Sequence, residues 1–263
     1  MSIYHYTDLN GLQGIVSNNE LWATNIYFLN DRVELRHGLK CYLNALDTYR
    51  EEVSPEVRDK IINLINRVSE AANLPFYSIS FSRVVDQLSQ WRGYGKESGV
   101  CIEFDEDYLH YVLQGCGFYI QRSEVDYIGE DAHEEIWDLI KKFSPVEHLE
   151  LAFGDDSKNV NSHSLMLLRG LVAFMKHEGF SEEEEYRFVF TPKGSDLKVK
   201  FRVTNNGYVP YIVLKGSDAL PIKNVYIGPV KEREQIKNGI RFLLDYHGYY
   251  DVGVKYSNIP YRG

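Results

Sequence analysis

The stretch Ser2-Ile3-Tyr4-His5-Tyr6-Thr7 has the alternation of a strand, and it runs straight into Leu9 to Asn18, where Leu9, Leu12, Ile15 and Val16 recur at helical spacing. The polar Ser17-Asn18-Asn19 stops that helix, and Leu21 to Thr24 returns to a strand pattern. Further along, Asn30-Asp31-Arg32-Val33-Glu34 opens a long helix, with Asp31 and Glu34 placed as a capping box. A second helix is expected from Pro55 to Ala72, with Pro55 tolerated in the first turn. Strands at Phe76 to Ser82 and Gly99 to Phe104 flank a short helix around Gln87 to Arg92. Residues 130 to 177 carry a largely helical pattern, broken by a loop at Gly154 to Asn159. Strands follow at Tyr186 to Thr191, Leu197 to Val203, Val209 to Leu214 and Ile222 to Gly228. A helix from Lys231 to Tyr246 and a strand from Val252 to Tyr256 close the pattern.

Helices set between separated groups of strands, without a regular β-α-β rhythm, favour a mixed α+β fold over a doubly wound sheet. With 263 residues and 44% hydrophobic content the chain can bury one large core. The expectation is a single domain over residues 1–263 with a helical insertion near 130–177. The run from Leu165 to Met175 is broken by Arg169 and Gly170 and falls short of the ~20 apolar residues that span a bilayer. No secretory pattern precedes Ser2, so a cytoplasmic location and no membrane partner are expected.

Three cysteines without ligand spacing suggest neither a disulfide framework nor a zinc site, and the remaining histidines form no metal-ligand pairs. No metal is expected. A net charge of −9 argues against a surface built for non-specific nucleic-acid binding, although a local basic groove is compatible with it. The glycine fingerprint of dinucleotide-binding turns is absent, as are the serine-hydrolase elbow and the phosphate-binding Gly-Lys-Ser/Thr loop. Those classes lose support.

Three separated segments carry residue types suited to chemistry at the anomeric carbon of a nicotinamide nucleotide. In the last, Glu183-Glu184-Glu185-Tyr186-Arg187, a carboxylate enters an apolar strand where it could face an oxocarbenium-like ribose. Glu185 is the leading candidate, and Glu183, two residues earlier, is expected to share its strand face. In the first, alternation places His5 and Thr7 together, opposite Tyr4 and Tyr6, so both are candidates to contact ribose. In the middle segment Ser80, Ser82, Arg83, Trp91, Arg92 and Tyr94 combine hydroxyls, cations for a pyrophosphate and aromatic surfaces for a nicotinamide ring. Tyr94 is the first choice as platform and Trp91 the second. Each segment also has a plainer reading: a charged loop, a core histidine, a tryptophan anchoring its helix.

Taken together, Tyr-His-Tyr-Thr at 4–7, Leu-Asn-Asp-x-x-Glu at 29–34, Ser-Phe-Ser…Trp-x-x-Tyr at 80–94, Glu-x-Glu-Tyr-Arg at 183–187 and Ser-x-Ile-Pro-Tyr-Arg at 257–262 resemble a bacterial family of domains of unknown function. Three of these segments also resemble the His, Tyr and Glu elements of ADP-ribosyltransferases of the diphtheria-toxin and poly(ADP-ribose) polymerase kind. Thr7 and Trp91 depart from that group's usual pattern. The resemblance implies a split β-sheet core, NAD as substrate, His5 on the adenosine ribose, Tyr94 on nicotinamide and Glu185 on the nicotinamide ribose. It further implies a macromolecular acceptor, nucleic acid or protein, in a toxin or phage-defence setting, with room for a regulatory partner protein. An NAD glycohydrolase and a non-catalytic nucleotide- or partner-binding module of the same fold are the alternatives.

Overall fold

A computed structural model describes residues 1–29, 32–70, 75–94, 98–129, 131–143, 173–194, 197–205 and 207–260. The expected cap at Asn30 and Asp31, the loop at 154–159 and the helical faces around Leu165 and Leu171 lie outside the described residues. The fold is mixed α+β with one large mixed sheet.

In chain order the elements are β1 (Ser2–Asp8), α1 (Leu9–Asn18), β2 (Glu20–Asn25), α2 (Arg32–Thr48), α3 (Pro55–Glu70), β3 (Tyr77–Ser82), α4 (Leu88–Tyr94), β4 (Gly99–Asp105), α5 (Glu106–Leu113) and β5 (Phe118–Glu124). Then come β6 (Asp126–Ile128), α6 (His133–Phe143), β7 (Met175–His177), β8 (Glu185–Pro192), β9 (Lys200–Thr204), β10 (Gly207–Lys215), β11 (Ile222–Ile227), α7 (Arg233–Tyr246) and β12 (Gly253–Tyr256). Sequence pattern located most of these within a residue or two. It missed α5, β5 and β6, and it extended the central helical region over Met175–His177, which is a strand.

The chain divides into two compact units. The second, residues 24–78 and 124–181, contains α2, α3, α6 and the parallel pair β6–β7. Trp137 of α6 is fully buried there, stacked on Tyr49 at 5.2 Å, and its indole N–H donates to Glu52.

The first unit, residues 1–23, 79–123 and 182–263, holds most of the large sheet, whose order is β12-β11-β4-β1-β3-β2-β10-β9. β8 pairs with β3 and with β5, off that path. A strand has only two edges, so three partners (β1, β2 and β8) make β3 a branch point. β1 pairs along its whole length with β4, which pairs on its other side with β11.

One face of this sheet presents Ile3, Ile102, Phe104, Val225 and Ile227, all buried, with Leu12, Ile15 and Val16 of α1 supplying a matching apolar stripe. Helix α1 starts sharply because the Asp8 carboxylate accepts from the Gly11 amide at 2.8 Å. Gly11 permits the close approach to β1, since a Cβ there would lie 2.0 Å from Thr7 Oγ1.

Candidate functional site

Ring contacts and register fix which side of the sheet each candidate occupies. His5 pairs with Ile102, and its ring lies edge-on to Phe81 at 5.7 Å. Phe81 in turn meets Phe104 and Phe188, and Phe188 meets Tyr186. All of these therefore sit on the side covered by α1. Alternation along β8 sends Glu185 and Arg187 to the other side.

That other side carries Tyr4, Tyr6 and Cys101, and Ser82 joins them because its register partner is Tyr4. Ser80 follows by alternation. Helix α4 packs on β1 here: Tyr6 and Trp91 meet edge to face at 4.9 Å, with Cys101 completing a buried cluster that Tyr4, Tyr226 and Ile259 flank. Gln87, Gln90, Trp91 and Tyr94 recur at the spacing of one helical face. Gln90 and Trp91 are buried, whereas Tyr94, at the end of the helix, is 37% exposed. The Gln87 side-chain amide donates from Nε2 to the Glu182 carbonyl, so the residue just ahead of α4 touches the chain just ahead of Glu185.

Ser80, Ser82, Trp91, Tyr94 and Glu185 thus share one side of the first unit. His5 and Thr7 do share a face with each other, as the alternation predicts, but it is the opposite one. Thr7 lies against Gly11 beneath α1. The His5 Nδ1 lies 3.0 Å from the Ser80 carbonyl, which can only accept, so the proton sits on Nδ1 and Nε2 carries the lone pair. Burial lowers the His5 pKa; the Ser80 bond opposes that and the Arg202 charge adds to it.

Glu183 ends the 3-10 segment Glu178–Glu183, and Glu184 takes a φ of 40°, so the strand alternation assumed for Glu183 does not reach it. Trp91 is packed away from solvent and its indole N–H donates to Asp86 at 2.9 Å. A Cβ on Gly228 would come within 3.0 Å of its ring, which makes Gly228 part of the same packing. Ser82 Oγ accepts from the Val84 amide, closing the turn after β3. Arg92 is exposed.

Glu185 and Arg187 form the most distinctive pair. Glu185 is 6% exposed and Arg187 2%, and the guanidinium donates from Nε to one carboxylate oxygen at 2.6 Å and from Nη2 to the other at 2.8 Å. Two residues apart on one strand face, they meet as a planar fork on a planar carboxylate.

Both neighbours of Glu185 are fixed by Arg83. Its amide donates to the Glu184 carbonyl at 2.8 Å, and its guanidinium lies 3.8 Å above the Tyr186 ring. The same guanidinium donates to Glu106 Oε2 at 2.6 Å, while the Tyr186 hydroxyl donates to Glu106 Oε1 at 2.6 Å and Arg122 reaches Oε1 at 3.2 Å. Burial raises the Glu106 pKa, but the Arg83 and Tyr186 hydrogen bonds and the two guanidinium charges outweigh it and hold the carboxyl below its ordinary range. Arg83 is thereby held at the base of β8 by Glu106, Tyr186 and Glu184.

Asp86, with a φ of 62°, joins the turn before α4 to the late Ser-x-Ile-Pro segment: it accepts from Trp91 Nε1, from the Ser257 hydroxyl and from the Asn258 amide. The Ser257 and Ile259 positions are thereby explained as packing and clamping. Glu106, Asp86 and Gln90 are not among the residues the sequence singles out; of the three, only Gln90 lies in a pattern that could have found it, the 87/90/91/94 helical spacing. Among the described residues no group of His, Cys, Asp and Glu could hold a metal ion.

The segment from α4 through β8, which bears Gln90, Trp91, Tyr94, Glu106, Glu185 and Arg187, is also where a known family matches. Residues 90–188 carry a DUF2971 domain, a protein family of unknown function. The DUF2971 segment leaves β1 and β3 outside its bounds, so His5, Ser80 and Ser82 are additions from the flanking chain. No curated protein and no solved structure matches the chain. No helix among the described residues is long and apolar enough to cross a membrane.

Proposed function

We infer that the chain is an NAD-dependent ADP-ribosyltransferase on a split-sheet fold, with its reactive end at Glu185. The observation that carries this reading is the buried Glu185 carboxylate, paired by Arg187 on the side of the sheet where Ser82 lies and where α4, with Tyr94 at its end, packs on β1. In the reaction the bond from ribose C1′ to the nicotinamide nitrogen breaks and nicotinamide leaves with the electron pair. Glu185 stabilises the oxocarbenium-like ribose, and an acceptor hydroxyl or amine then bonds to C1′ and gives up its proton. Tyr94, partly exposed, offers the ring surface for nicotinamide. The branch at β3 supports the split-sheet assignment. His5, on the far side of the sheet, supports the fold here and not the chemistry.

A non-catalytic nucleotide-binding module is the second reading. It is favoured by one observation: Arg187 engages both oxygens of Glu185, which limits what a ligand can take from that carboxylate.

NAD labelled in nicotinamide distinguishes the two. The protein, Glu185→Gln and Tyr94→Ala are each incubated with it, with and without cell extract. The transferase reading expects label release that Glu185→Gln abolishes and Tyr94→Ala weakens chiefly through KM. Release without labelled macromolecule indicates an NAD glycohydrolase. No release, together with an NAD-dependent rise in melting temperature, indicates the binding module. Neither release nor a rise rejects both.

A further inference from the structure

At the end of the large sheet, β9 and β10 form an antiparallel hairpin, and β9 is the outermost strand of its order. Register fixes the hairpin's two faces. Phe201 pairs with Pro210 and Val203 with Tyr208, so these four share one side; Lys200 pairs with Tyr211 and Arg202 with Val209 on the other. An amphipathic strand normally buries its apolar side, yet Phe201 is 64% exposed, Val203 78% and Tyr208 72%.

The local charge is as unusual as the exposure. Over residues 193–215 there are five cations (Lys193, Lys198, Lys200, Arg202 and Lys215) against one Asp196, in a chain whose net charge is −9. Lys193, Lys198, Lys200 and Lys215 are all exposed. Lysines on an edge strand commonly serve only to block strand-to-strand association. That role needs no exposed rings, and here Phe201 and Tyr208 lie diagonally across the two strands, about 7–8 Å apart by sheet geometry.

We propose that the β9–β10 hairpin is a docking surface for single-stranded nucleic acid. Phe201 and Tyr208 stack on unpaired bases, and Lys198 and Lys200 reach round the open edge of β9 to the phosphates. Every base has a π-face, so exposed rings beside cations accept single strands with little sequence preference, whereas duplex bases are already stacked. The acidic remainder of the chain repels a polyanion and confines it to this hairpin. The inference does not depend on the chemistry proposed at Glu185.

The test is fluorescence anisotropy of the full chain with a labelled oligothymidylate, the matching duplex and a polyglutamate of similar charge, at about 50 mM and about 200 mM salt. The expected result is binding of the single strand in preference to both competitors. The affinity should fall with salt, with a log–log slope of about −0.7 per phosphate contact. Phe201→Ala and Tyr208→Ala should each weaken it about tenfold. Lys198→Glu with Lys200→Glu should weaken it and flatten the salt slope. Because these side chains are exposed, the variants should melt with the wild type. No binding at low salt overturns the proposal, as does binding the three variants leave unchanged. Equal binding of polyglutamate would assign the surface to an acidic protein segment, and preference for the duplex would remove the stacking argument; either result also overturns it.

Discussion

Replacing Glu185 with glutamine keeps the shape of the side chain and removes its charge, which exposes what the Glu185–Arg187 pair does for the fold. Arg187 would stay 2% exposed, with one amide oxygen to accept where two carboxylate oxygens do now. Breaking a buried pair from one side costs about 3–5 kcal/mol, and the retained hydrogen bond places this change near 3. At about 2–4 °C per kcal/mol for a chain of this size, the melting temperature should fall by roughly 6–12 °C. The double change Glu185→Leu with Arg187→Met removes both charges and should recover most of that loss, because an apolar pair of similar volume carries no desolvation cost. Thermal unfolding by circular dichroism measures all three proteins under one condition. If Glu185→Gln melts within a degree of the wild type, or the double variant melts lower still, the pair is not the buried ionic lock described here. The same measurement sets the temperature at which any loss of NAD turnover in Glu185→Gln can be assigned to chemistry.

Acid should weaken the fold through Glu106. Its folded pKa is depressed, so its contribution is full above the ordinary glutamate range and is lost as pH falls through the folded value. Glu106→Gln should therefore lower the melting temperature at neutral pH and flatten its decline under acid, and parallel acid limbs for both proteins would refute that. His5 acts at higher pH. With its folded pKa lowered, the unfolded chain takes up a proton first, so stability should fall as pH drops below the ordinary histidine range, and His5→Gln should remove that slope. Trp91→Ala should cost about 3–5 kcal/mol, read by denaturant unfolding, because it empties a packed site between Tyr6 and Gly228. A cost under about 1 kcal/mol, the scale of a surface change, would reject Trp91 as a core anchor.

The elements that were legible in the sequence are those whose burial leaves a period. β1 and α1 announce themselves because Ile3 and Tyr6 face packed neighbours, and Leu12, Ile15 and Val16 line one side of a helix. α5 was missed although Asp105 caps it, since its inward face includes Glu106, a charged residue that only its distant partners Arg83, Arg122 and Tyr186 make compatible with burial. The face assignment of β1 was correct, yet which face the candidate glutamate shares is set by how β8 and β1 each join β3. Local alternation carries no information about that. Arg83 shows the same limit from the other side: its sequence neighbours suggest an exposed turn, while its partners lie 23 and 103 positions away on α5 and β8.

Asp86 has a consequence for when the molecule becomes complete during synthesis. Its carboxylate holds the turn leading into α4 through groups on Ser257 and Asn258, some 171 residues further along the chain. A nascent chain can pair β1 with β4 as soon as β4 has emerged, but the turn ahead of Trp91 lacks its clamp until translation has passed Asn258. Closure of the α4 side of the sheet thereby waits on a segment made long after α4 itself has left the ribosome.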